Sequence, residues 1–160
     1  MAVDFFLKLD GIKGESKDSK HKDTIDILAW SWGMTNSGSA HLGGGAGSGK
    51  ANVQDLTITK YVDLSSPVLA KLTANGKHIK EGLLTIRKAG ENPLEYMKFK
   101  LTDILISSYQ TGGSGGDDRV TESISLNFAK VEFEYASQKH DGSKDKDEKM
   151  MFNAETQEWK

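Results

Sequence analysis

The sequence predicts an all-β domain, a β-barrel of roughly eight strands with one short flanking α-helix and long glycine-rich loops. Three observations lead there. Apolar residues recur with a period of two far more often than 3.6. Glycine counts 17 against 2 prolines and gathers in polar connecting segments. Only one stretch combines helical spacing with both a start and a stop signal.

Taken in order, Phe5, Leu7 and Leu9 alternate with Phe6 and Lys8, giving a first strand closed by Asp10-Gly11. The polar run from Gly11 to Asp23 reads as a solvated loop. Ile25 and Ile27 alternate, while Leu28, Trp30, Trp32 and Met34 continue in the opposite phase, as in a bulged strand or one covered on both faces. Val53 to Tyr61 reads as a strand with Leu56 and Ile58 on one face and Thr57, Thr59 and Tyr61 on the other. Ser66-Pro67 supplies an N-cap and a proline at the first helical position. Val68, Leu69 and Leu72 form the apolar stripe, Asn75-Gly76 the stop, and a helix this short depends on packing.

Leu84 and Ile86 mark a strand, and Met97, Phe99 and Leu101 the next, which Ile104 and Ile106 continue after a change of phase. Ile124, Leu126 and Phe128 take one phase of the last strong segment, and Val131, Phe133 and Tyr135 the other. Repeated flips of this kind suit strands that bend around a barrel. Gly33–Lys50, Gly90–Pro93 and Thr111–Asp118 are the turn-rich connections. Residues 1–138 form the barrel domain, and residues 139–160 a charged C-terminal tail, partly mobile, with no assigned seat for Met150, Met151, Phe152 and Trp159.

Composition removes several classes of function. A chain of 160 residues fits one domain with a sizeable core. Its 21 basic and 23 acidic side chains leave a net charge of −2, which argues against nucleic acid as a partner. There is no cysteine, hence no disulfide framework or thiolate chemistry. No apolar run is long enough to insert in a membrane, and the first residues lack the basic region of a signal peptide. Synthesis in the cytoplasm is expected.

The motifs carry little chemistry. Gly44-Gly45-Ala46-Gly47-Ser48-Gly49-Lys50 fits the glycine-rich phosphate loop, but Ala51 stands where a Ser or Thr should reach the metal, and a strand rather than a helix follows. The Gly112–Asp118 turn offers only an adjacent acidic pair, too few ligands for calcium. His21, His41, His78 and His140 stand apart, outside metal-ligand spacing, and read as surface or loop residues. No acid, base and oxyanion hole assemble, so no enzyme, cofactor or metal site is expected.

Trp30-Ser31-Trp32 is the most informative triplet. Alternation puts both indoles on one face, and their size makes that face core, with Phe128 in the same core. Ser31 falls on the opposite face, with the carboxylate of Asp26, so that face is wet or meets a partner. The residues alone also allow a monomeric barrel that binds a small ligand or carbohydrate on exposed Trp30 and Trp32.

Several segments together resemble the Hcp (haemolysin-coregulated protein) family, inner-tube proteins of bacterial type VI secretion systems. They are Gly14-Glu15-Ser16-Lys17-Asp18, Ile25 through Gly33, Val53-Gln54-Asp55-Leu56 to Tyr61, Thr85-Ile86-Arg87-Lys88-Ala89-Gly90, Thr111 through Gly116, and Thr121-Glu122 with Leu126 through Val131. They run in order and cover about residues 1–140.

The resemblance implies a homohexameric ring, rings stacked into a tube inside a sheath, a VgrG spike above it, and small effector proteins carried in the lumen. It implies secretion by the apparatus without a signal peptide. A closed ring built from one chain needs two different patches meeting head to tail. The resemblance also assigns ring stacking to Leu42, Gly43, Gly44, Gly45, Ala46, Gly47, Ser48, Gly49, Lys50 and Gln54, and a lumen-facing, effector-binding position to Ser31.

Overall fold

The computed structural model describes residues 2–36, 51–90 and 93–160. Among these, the chain forms β1 (Val3–Leu9), β2 (Ile25–Ile27), β3 (Ala29–Ser31), β4 (Met34–Thr35), β5 (Asn52–Val53) and β6 (Leu56–Tyr61). There follow α1 (Ser66–Asn75), β7 (Ile79–Lys88), β8 (Glu95–Gly112), β9 (Thr121–Gln138), β10 (Lys144–Asn153) and β11 (Glu158–Trp159). The all-β class with one short helix is as the sequence predicts.

Nine strands share one antiparallel sheet running β11-β10-β9-β8-β7-β1-β2, with β6 bonded to β9 and β3 to β6. The long strand β9 carries β6 beside its first half and β10 beside its second. The sheet curls until β2, at one end of the path, runs directly into β3, which pairs with β6. The ladder is not closed. Its seam is Leu28, which leaves the β1 pairing and gives its N–H to Thr59 O at 2.8 Å. The predicted barrel is therefore nearly closed, with covalent chain rather than a ladder across the seam.

The phase changes read in the sequence have local causes. Asp103 takes φ 56°, a left-handed conformation uncommon for a residue with a Cβ. It lies between inward Leu101 and inward Ile104, both buried. A second shift follows at Ser107, where the β8–β9 register slips between Ile106 and Ser108. The slip turns Tyr109 back toward the core, opposite Ile124. Bulges of this kind bend a strand as a curled sheet requires.

Leu7, Ile25, Ile58, Leu84, Phe99, Ile104, Ile124 and Leu126 form the centre of the core, each essentially without solvent contact. Helix α1 packs against β8. Its N-cap is Ser65 rather than the predicted Ser66, and Gly76 ends it at φ 67° as expected. The hydroxyl of Ser66 is used elsewhere, donating to Glu122 Oε1 at 2.6 Å.

Two further readings are corrected. The segment from Gly11 to Asp23 is not simply solvated. Ser16 is buried, Asp18 makes two bonds to Arg87 at 2.7 and 3.0 Å, and the His21 ring stacks on Phe6 at 4.4 Å. A Cβ on Gly14 would lie 2.4 Å from Thr24 O, so only glycine lets this loop close against β2. Polar residues here hold the loop down, which a hydropathy pattern does not register. The C-terminal segment, read as a charged tail, continues the sheet. β10 pairs with β9 from Lys144 to Asn153, and Phe152 opposite Val131 is buried. Its charges occupy a sheet edge, where they discourage further pairing.

Candidate functional site

The curled sheet has two surfaces, and cross-strand partners share a surface. The row Trp30, Ile58, Ile124 and Tyr109 faces inward. The rows on either side of it therefore face outward. One is Ser31, Thr57, Ser125 and Ser108, and the other Ala29, Thr59, Ser123 and Gln110. Ser31, the predicted lumen position, is exposed at the end of β3. Thr57 Oγ1 and Ser125 Oγ lie 3.4 Å apart. The result is a neutral surface of hydroxyls, one alanine and one amide across β3, β6, β9 and β8.

Among the described residues the two outward rows carry no charged side chain, and charge stands at their margins. On one side Asp55 accepts from Asn127 Nδ2 at 2.9 Å and from the Ser107 hydroxyl. On the other, the Arg119 guanidinium sits 3.8 Å over the Tyr61 ring. The outward surface of β7 to β10 is different in kind, with Lys98 opposite Glu134, Lys100 opposite Glu132, and Lys149 bonded to Glu132 at 3.1 Å.

The tryptophans are half-buried at the margin of the core. Both meet Phe99 edge-on, Trp30 at 5.0 Å and Trp32 at 5.6 Å between ring centroids. Phe5 abuts Trp30, and Phe133 meets Trp32. Indoles engaged in this way offer no free stacking platform of the kind a carbohydrate site needs. Phe128 is buried.

The segment Leu42, Gly43, Gly44, Gly45, Ala46, Gly47, Ser48, Gly49 and Lys50 lies outside the described residues. Gln54 does not: it is exposed, and its N–H bonds Gly33 O at 2.9 Å, fixing the point where the chain re-enters the sheet after β5.

One polar constellation was not legible in the sequence. Lys60 and Glu122 form an ion pair with neither side chain exposed. Lys60 Nζ also donates to Tyr61 O, Asp63 Oδ1 and Ser66 Oγ, and the Tyr109 hydroxyl donates to Glu122 Oε2. Burial, then the bond to Glu122, pushes the Tyr109 phenol up to about 12. This cluster ties α1 to β6, β8 and β9. Alternation does place Lys60 in phase with Leu56 and Ile58, and Glu122 in phase with Ile124, so charge in a buried phase was the available signal.

A cavity of about 890 Å³ opens between Asp4, Asp18, Arg87, Pro93 and Asp141. Its guanidinium is already engaged by both Asp18 and Asp4, and Lys20 stands on the same lining. Among the described residues, no group of three or more His, Asp or Glu gathers to hold a metal.

This curled sheet with a single tethered helix is the fold of a family of secretion-system components. The family model described as "Type VI secretion system effector, Hcp" matches residues 6–135, and the chain belongs to that family. It is 58% identical over 146 residues to protein hcp1 of Pseudomonas aeruginosa, spanning 91% of this chain and 90% of that protein. The crystal structure of Hcp1 from Salmonella typhimurium superposes with a TM-score of 0.82 at 37% identity, covering all of both chains. A structure described as a type six secretion system protein superposes with a TM-score of 0.93 at 31% identity, covering 99% of this chain and all of the other. A type VI secretion system effector from Yersinia pestis gives 0.77 at 35% identity, over 94% of this chain and 99% of that one. The family is one of secretion-system components and not an enzyme family.

Proposed function

We propose that this chain is the structural subunit of a type VI secretion tube. Six copies close a ring, rings stack within the sheath beneath the VgrG spike, and small effector proteins travel in the lumen. The protein is made in the bacterial cytoplasm and expelled by the apparatus. Leu42–Lys50, with Gln54 at its re-entry point, carries ring-to-ring contact. Ser31 faces the lumen.

The observation that carries this reading is the neutral outward surface on β3, β6, β9 and β8. A channel wall has to let different passengers move, and small uncharged hydroxyls neither trap nor repel by charge. The Trp30, Trp32 and Phe99 cluster behind it stiffens that wall. Light scattering and electron microscopy of the purified chain test the reading. The expected result is a particle of six chain masses with a central hole, lengthening into stacks as concentration rises. Single chains at every concentration, with no hole, overturn it.

A further inference from the structure

The two outward surfaces of the sheet differ in chemistry, and that difference bears on what the protein carries. Across β7 to β10 the outward rows are laced with paired Lys and Glu. Across β3, β6, β9 and β8 the eight outward positions hold six Ser or Thr hydroxyls, five of them on β3, β6 and β9 at Ser31, Thr57, Thr59, Ser123 and Ser125. Ser108, Gln110 and Ala29 complete the two rows, and none of the eight ionises. Of the charged groups at its margins, Asp55 accepts from Asn127 and Ser107, and Arg119 lies over the Tyr61 ring.

We infer that this whole surface, not Ser31 alone, is the passenger-contact surface, and that it accepts proteins whose touching faces are polar but uncharged. The inference rests on the tube reading above and adds to it the chemical class of the passenger.

The selection works mainly by exclusion. A charged patch pressed against this surface loses hydration and finds no opposite charge to replace it, a cost that hydroxyl dipoles offset only in part. A face of Ser, Thr, Asn and Gln finds donors and acceptors in both directions, since each hydroxyl can give or take a hydrogen bond. Water can bridge any mismatch in spacing at little loss. Each contact is weak, so hold depends on many copies of the surface acting together, and a passenger stays releasable. Because no ion pair is involved, retention is independent of ionic strength, unlike association through charge.

The test uses the full chain and three versions of one small folded domain, its surface recoded to be rich in Ser, Thr, Asn and Gln, in Glu, or in Lys. Binding is read by co-elution and by shifts of the Thr57 and Thr59 methyl signals in methyl-labelled protein. The neutral version is expected to shift both methyls and to co-elute equally at low and high salt, while the Glu and Lys versions do neither. Thr59→Glu combined with Ser123→Glu is expected to abolish retention of the neutral version and confer salt-sensitive retention of the Lys version. Unshifted methyls with the neutral version, or tighter and salt-sensitive binding of a charged version to the parent protein, overturns the inference. Light scattering on the same samples separates the two levels. Rings with silent methyls sink the passenger class and leave the tube standing, whereas single chains with shifted methyls do the reverse.

Discussion

Lys60 and Glu122 form an ion pair with no solvent contact on either side chain, on adjacent strands beneath the first turn of α1. Desolvating two charges is expensive, and their attraction repays it only where the remaining donors and acceptors are also met. Here Tyr61 O, Asp63, Ser66 and Tyr109 meet them. Lys60→Met alone leaves Glu122 buried without its cation and should cost about 3–5 kcal/mol. Lys60→Met with Glu122→Leu should lose clearly less than the two single changes added together. Urea unfolding midpoints for the four proteins check this, and additive losses would show that the pair does not act as a unit.

The same cluster predicts an alkaline limit. The Tyr109 phenol is pushed up to about 12 in the folded protein, against an ordinary value of 10.0. The unfolded chain therefore releases this proton first as pH rises. Stability from this group is fully present below pH 10 and is lost between about 10 and 12. Tyr109→Phe should flatten that part of the stability curve, which chemical denaturation at stepped pH will read.

An acid limit comes from the loop over β1. Hydrogen bonds from Arg87 hold the Asp18 carboxyl well below the usual carboxylate range. A lowered carboxylate favours the folded state above the unfolded value and ceases to do so as pH falls through the range below about 4. Asp18→Asn should be less stable than the parent at neutral pH and converge with it in acid. Thermal melts across that range measure the convergence, and curves that stay parallel would deny the linkage.

Trp30→Ala removes an indole wedged between Phe5 and Phe99. Because the ring is only half-buried, the loss should be about 2–3 kcal/mol, below that of a fully enclosed tryptophan. Equilibrium unfolding checks it, with parent-like stability the contrary result.

Ser31→Gln changes an exposed outward position without touching the core. Under the tube reading, rings should form normally while effector co-purification falls. Equal effector recovery from parent and variant would remove Ser31 from the passenger surface.

Much of this molecule was legible in one dimension. The all-β class, helix α1 and the inward phases of β6 and β9 follow from side-chain period, because a strand must send alternate residues to opposite sides. The opposite orientation of Ser31 and its flanking indoles follows from the same rule. Family membership was visible in ordered segments from Gly14 to Val131.

Contacts between residues distant in the chain were decided only by folding. Arg87 meets Asp18, Lys60 meets Glu122, and Phe152 finds Val131 through pairings that no local pattern encodes. The strand in the C-terminal segment was hidden because Lys144 to Lys149 lie at a sheet edge, where solvent accepts charge on both faces and alternation disappears. The neutral surface itself is a tertiary product. Serines and threonines spaced along four separate strands become one surface only when register sets Ser31, Thr57, Ser125 and Ser108 side by side.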